Sequence, residues 1–133
     1  MRRQLFIIAT CLSFNAYSYS SDELLGDCKA AVTFHTENPN PDPYQTMRGA
    51  RCTAYVTGFA DGYQVSNYLA EKIGVSLNAI CLPNDENLPY RLVRSVLTHL
   101  ERLPPNSPSN SATLVAAALS KTFPCADQLE SKK

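Results

Sequence analysis

The stretch Cys52-Thr53-Ala54-Tyr55-Val56-Thr57-Gly58-Phe59-Ala60-Asp61-Gly62-Tyr63 decides the fold class. Apolar residues return in it at steps of three and four, at Cys52, Tyr55, Val56, Phe59 and Tyr63, the period of a helix with one buried face. The spacing continues to Ala70 and Ile73, so a long helix is expected over 47–73, with Gly74 as its stop. A second row, Ala54, Gly58, Gly62 and Ser66, sets small residues four apart. Each interior glycine costs about 1 kcal/mol relative to alanine. Close packing of another helix of the same chain is the expected offset, and a dimer contact is the alternative.

Upstream, Ser20-Ser21-Asp22-Glu23 has the Ser-x-x-Glu spacing of a capping box, in which hydroxyl and carboxylate satisfy free amides at a helix start. Leu24, Leu25, Cys28, Ala31 and Val32 follow as one apolar stripe, which predicts a first helix reaching about His35. Residues 36–45 contain Pro39, Pro41 and Pro43 and read as a stiff, exposed connection. Downstream, Pro89 fits the first turn of a third helix carrying Leu92, Val93, Val96, Leu97, Leu100 and Leu103 inward. Pro104-Pro105 ends it, and a run of Pro, Asn and Ser leads to a fourth helix over about 111–123. Its inward residues are Leu114, Val115, Ala118, Leu119 and Phe123; Pro124 stops it and 126–133 reads as a frayed tail. No stretch shows strand alternation or an internal repeat. The fold class is all-α, a compact bundle of four main helices.

The N-terminus carries an export pattern. Met1-Arg2-Arg3 is a positive start, residues 5–14 are mostly apolar, and small residues at Ala16, Ser18 and Ser20 allow cleavage after Ser18 or Ser20. The apolar run is shorter than the ~20 residues that a membrane-spanning helix needs. Cys11 lies inside it and reads as discarded with it rather than as a lipid-attachment site. Cleavage after Ser20 takes 20 of the 133 residues and leaves 113, one helical domain over 21–133. Losing Arg2 and Arg3 takes the 12 basic side chains to 10 against 12 acidic ones, a formal charge of −2. With no basic stripe or polybasic segment evident, neither nucleic acid nor, after cleavage, membrane is an expected partner. The expected location is an oxidising exported space, most simply a bacterial periplasm.

Four cysteines then remain, Cys28, Cys52, Cys81 and Cys125, an even set that reads as a disulfide framework. In an antiparallel pair of the first two helices, Cys28 and Cys52 fall at one level. Cys81 just precedes the third helix and Cys125 just follows the fourth. The order of helices therefore favours Cys28–Cys52 and Cys81–Cys125. Their gaps of tens of residues do not match the short paired spacings of a zinc site.

Little else carries chemistry. The only histidines are His35 and His99, and His99 reads as an exposed or partly packed residue on the flank of the third helix. Asp61 reads as a charge on a solvated face. No catalytic triad, phosphate-cradling glycine loop or carboxylate pair stands out, so no catalytic, cofactor-binding or metal residue is assigned, and an enzyme is not expected.

The ordered set of motifs has a family look. It comprises the export segment, Leu24-Leu25-x-x-Cys28, Cys52-x-x-Tyr55-Val56-x-Gly58-x-x-Asp61-Gly62, Cys81-Leu82-Pro83, Leu92-Val93-x-x-Val96-Leu97 and Ala118-Leu119-x-x-x-Phe123-Pro124-Cys125. This set resembles the Tai-type immunity proteins, which protect bacteria from peptidoglycan amidases delivered by type VI secretion. The long proline-rich link and the tail depart from the pattern. The resemblance implies a small helical periplasmic protein, often a homodimer, that binds a cognate amidase effector and occludes its active-site groove. A protruding, stiff segment suits that task. The first candidate is Pro104-Pro105-Asn106-Ser107-Pro108-Ser109-Asn110, where prolines reduce the ordering cost of binding and Asn and Ser offer adaptable hydrogen bonds. The second is Asn84, Asp85, Glu86 and Asn87 with the preceding Pro83, whose acids suit a basic rim on a toxin. An acid-stress chaperone and an envelope adaptor subunit are the alternative functions.

Overall fold

A computed structural model of the chain describes residues 19–36, 40, 42–104, 107 and 110–126. Residues 1–18, where an export segment is expected, and residues 127–133, expected as a tail, lie outside the described residues. Four helices run in order: α1 (Ser21–Thr36), α2 (Pro43–Glu71), α3 (Leu88–Glu101) and α4 (Ser111–Thr122). Among the described residues there is no strand, and the all-α expectation holds.

The start of α1 is built as its sequence predicts. The Ser20 backbone amide donates to a Glu23 carboxylate oxygen at 3.0 Å, and the Glu23 amide donates back to Ser20 Oγ at 3.2 Å. The Ser20 amide, first, and its hydroxyl hold the Glu23 carboxyl below its ordinary value. The second helix starts earlier than expected. Pro43 stands in its first turn and Asp42 accepts from the amides of Tyr44 and Gln45 at 2.9 and 3.0 Å, so 43–45 belong to the helix and not to the link. Proline is harmless there because its missing N–H would have no helical acceptor. The far end closes at Gly74, whose φ of 76° lets Val75 N–H reach the Ala70 carbonyl at 3.0 Å. Ile73, expected on the buried stripe, lies beyond the helix and is 80 % exposed.

One core joins all four elements: Leu24 and Cys28 from α1, Val56 from α2, Val96 from α3, and Val115 and Leu119 from α4 are fully buried. Tyr55, Phe59 and Tyr63 pack against it partly buried. The two predicted disulfides are both present, Cys28–Cys52 and Cys81–Cys125. Beside the second, the Cys81 amide donates to the Phe123 carbonyl at 2.9 Å, tying the α2–α3 connection to the end of α4. That connection is also held to α2, where the Tyr63 hydroxyl accepts from the amides of Ala79 and Ile80 at 2.9 and 3.1 Å.

The close helix approach occurs at a different glycine from those expected. A Cβ on Gly49 would sit 3.0 Å from the Ala31 Cα, so this glycine lets α1 and α2 touch backbone to backbone. A Cβ on Gly58 or Gly62 would meet nothing within 4 Å, and Ala54 and Ser66 are exposed too. Among the described residues, the expected packing of this row by another helix of the chain is therefore absent. At about 1.5 Å per residue, the 29 residues of α2 run roughly twice the length of the 14 of α3. With α2 that much longer, Val65, Tyr68 and Leu69 on its distal part, and Ile73 just past its end, remain exposed.

Candidate functional site

The most tightly organised polar feature of the fold is centred on a residue that the sequence did not single out. Asp27 on α1 is 1 % exposed, next to the core cysteine Cys28. Its Oδ1 accepts from Arg48 Nε at 2.8 Å, and its Oδ2 from Arg51 Nε at 2.7 Å and from the Tyr19 hydroxyl at 2.6 Å. Burial alone would raise the Asp27 carboxyl, but the three donors outweigh it and hold it below the ordinary value. Burial, first, and the bond to Asp27 push the Tyr19 phenol well above its usual range.

The arrangement follows from chain geometry. Once Cys28 bonds Cys52, the adjacent Asp27 and Arg51 must lie at the same level, and Arg48 stands one turn from Arg51. Gly26 leaves the room the Arg48 guanidinium occupies, since a Cβ there would collide with it. The Arg51 guanidinium also lies 4.9 Å from the centre of the Tyr19 ring, which meets Tyr55 edge-on at 4.9 Å. Buried Ser111, at the start of α4, donates to the Tyr19 carbonyl at 2.6 Å. Tyr19 thereby joins the entry of α1 to α2 and α4. Every ionised member is paired and no group is presented for proton transfer, so the cluster is a structural knot rather than a reactive site.

The two predicted binding segments lie at opposite ends of α3, Asn84, Asp85, Glu86 and Asn87 before it and Pro104 to Asn110 after it. They are not brought together. In the latter, Pro104 and Asn110 are exposed and the Ser107 hydroxyl donates to the Pro104 carbonyl at 2.8 Å. Asn110 is not a free binding group, because its side-chain oxygen caps α4 by accepting from the Thr113 amide at 2.8 Å. Pro105, Asn106, Pro108 and Ser109 lie outside the described residues.

Asp85 is likewise committed. It accepts from the Asn87 amide at 2.9 Å and from Arg91 Nη1 at 2.6 Å, and these two, in that order of importance, hold its carboxyl below the ordinary value. The expected meeting of Asp85 with a basic rim on a partner therefore has to compete with Arg91, whereas Glu86 stays exposed. Asp61 is exposed, as read from the sequence. His99 is half-buried beside α4, and burial, then the charges of Lys121 and Arg102, lower its pKa.

His99 lies in a groove of about 490 Å³ between α3 and α4. Arg91 and Arg94 from α3, Arg102 at its C-terminal cap and Lys121 from α4 line it, over a floor that includes Ala118 and Phe123. The net charge of the chain hid this concentration: four of the ten basic side chains beyond Arg3 converge on one groove, which corrects the expectation that no basic stripe exists. The signal was there in the spacing of the arginines along α3, opposite its apolar stripe.

All four cysteines of the fold are consumed in disulfides, which removes them as zinc ligands, and among the described residues no cluster of three or more His, Cys, Asp or Glu could hold a metal. No described helix is long and apolar enough to cross a membrane. Among curated proteins and solved structures, none matches the chain. Residues 20–125, from the α1 cap to the last disulfide cysteine, match the Rap1a immunity proteins. The match covers most of the chain, and the protein belongs to the Rap1a immunity protein family.

Proposed function

We propose that the protein acts in the periplasm, where it binds a peptidoglycan amidase delivered by type VI secretion and keeps substrate out of its active-site groove. Membership of an immunity family over residues 20–125 carries this reading, because such a protein acts by binding a cognate effector. The amidase as target rests on the motif set described above, and the location on the N-terminal export pattern and the two disulfides. The knot and the disulfides supply the rigidity that an occluding inhibitor needs, since a fixed scaffold loses less entropy on binding.

The segment Pro104 to Asn110 is our candidate for the occluding element. It joins two helices of the core, and its only described side-chain bonds are local. The test is inhibition of peptidoglycan hydrolysis by the purified protein, with the intact chain compared with one in which residues 105–109 are replaced by Gly-Ser. Asn110 is kept so that α4 retains its cap. The replacement is expected to weaken inhibition by at least about tenfold, the loss of roughly 1.4 kcal/mol of binding, with an unchanged melting temperature. Equal inhibition by both proteins contradicts the loop assignment, and no inhibition by the intact chain contradicts the amidase reading.

We also read the exposed face of distal α2, with Gly58, Gly62, Val65 and Leu69, as the contact of a homodimer. Nothing of the described chain covers it, and its small residues would let a second helix approach closely. Sedimentation should show a dimer that Gly62→Arg converts to a monomer; a monomeric parent protein rejects this contact.

A further inference from the structure

We infer that the basic groove between α3 and α4 is a docking channel for an extended, carboxylate-rich segment of the partner protein. The inference rests on the reading that the partner is a protein effector and names the chemistry of the contact. Its ground is the placement of charge. Arg91 on α3 and Arg102 at its C-terminal cap are eleven residues apart, nearly in line and about 16 Å apart by helical rise. At about 3.3 Å per residue, that is the span of five extended residues. Arg94 stands between them, Lys121 faces them from α4, and no Asp or Glu lines the groove. Among the described residues no carboxylate pairs with Arg94, Arg102 or Lys121.

Two of the cations are also held in position. Arg91 is bonded to Asp85 at 2.6 Å and lies 5.5 Å from the centre of the Phe123 ring, while Arg94 Nη1 donates to the Tyr90 hydroxyl at 3.1 Å. Planar guanidinium groups spaced along one groove suit successive carboxylates, each able to take two parallel N–H bonds. Burial, first, and then the charges of Lys121 and Arg102 lower the pKa of His99, in keeping with the placement of those cations around it. A bilayer is the poorer occupant. Membrane docking wants apolar groups that project, and here Ala118 and Phe123 form the buried floor.

The test uses the intact exported protein and the variant Arg94→Gln/Arg102→Gln/Lys121→Gln, whose three positions are exposed, so that it keeps the parent's helicity and melting temperature. A capped hexapeptide of glutamate is titrated into both, with the matching glutamine hexapeptide, inorganic phosphate and vesicles containing anionic lipid as controls. The glutamate peptide is expected to shift the amide resonances of Arg94, Arg102 and Lys121 in the parent, and to bind the variant at least tenfold more weakly. The glutamine peptide is expected to leave these resonances unmoved. Against the amidase effector, the parent's affinity should fall between 50 and 200 mM salt more steeply than the variant's. No shift with the glutamate peptide, or equal shifts with phosphate or vesicles, overturns the inference. So does an effector affinity that the triple replacement leaves unchanged, although the immunity reading would then stand. Where the parent binds no effector the immunity reading fails, and the peptide titration still decides the groove.

Discussion

The double replacement Cys28→Ala/Cys52→Ala is expected to destabilise the protein by roughly 4 kcal/mol and to lower its melting temperature by about 15 °C. The two cysteines are 24 residues apart in sequence, and closing a loop of that size stabilises by about 3.5 kcal/mol in the chain-entropy picture. Both cysteines are fully buried in the core, so alanine also leaves unfilled space there. The bond moreover fixes the register of α1 on α2, and the Asp27 knot depends on that register. The Cys81–Cys125 bond closes a longer stretch, 44 residues, and contributes about 4 kcal/mol by the same argument. Cys81, however, is exposed, so a reductant reaches that bond first in the native protein. Mass analysis during mild reduction should find Cys81 and Cys125 modified before Cys28 and Cys52. A melting temperature lowered by less than 5 °C in the Cys28/Cys52 variant would show that the core holds α1 on α2 without the bond.

Asp27→Asn is expected to cost roughly 3 kcal/mol at pH 7, read as a lower midpoint of urea denaturation. The side chain is buried and accepts three bonds, two of them from guanidinium groups, and an amide can neither match the charge nor accept at both positions. Arg48 and Arg51 remain partly exposed, so they return to water when the carboxylate is lost, which keeps the cost from rising further. The pH dependence has a definite sign. The folded carboxyl titrates below its ordinary value of about 3.8, so its stabilisation is complete above that value and is lost as pH falls through the lower, folded one. The gap between parent and variant should therefore be constant from about pH 5 to 8 and narrow in stronger acid. The Tyr19 phenol is raised, so its contribution is complete below pH 10 and declines at more alkaline pH. A variant within 1 kcal/mol of the parent at pH 7 would reduce the knot to a surface ornament.

The knot also bears on how the chain is processed. Cleavage after Ser18 keeps Tyr19, with its bonds to Asp27 and Ser111, and Ser20, the cap of α1. Cleavage after Ser20 removes both. A protein beginning at Ser21 should lose stability as the Asp27 variant does, which is why we favour Tyr19 as the mature N-terminus.

Much of this fold could be read from residues alone because its strongest terms are local or periodic. The Ser20–Glu23 box, the α3 stripe and the two cysteine pairs follow from spacing, and each appears where spacing put it. The misses have one physical cause, which is that tertiary contact decides what local pattern leaves open. Ile73 fits the helical period but falls after the end of α2, in the turn that Gly74 closes, and is left exposed there. Gly58 and Gly62 have the spacing of a packing face, yet the helix that comes close does so at Gly49, since the disulfide sets the crossing of α1 and α2 nearby. The groove was obscured by averaging. A net charge near zero says nothing of where cations sit, and Arg91, Arg94 and Arg102 become a site only when α4 brings Lys121 opposite them. Asp27 was within reach of inference, because pairing Cys28 with Cys52 sets their neighbours Asp27 and Arg51 side by side.

Protection of the producing cell is measured most directly by survival. The full chain, the same chain lacking residues 1–18, and an empty vector are each expressed in cells that also produce the amidase effector in the periplasm. The full chain is expected to restore growth and the shortened chain, held in the cytoplasm, to give none. Lysis that continues at the vector's rate with the full chain present and exported would contradict the account.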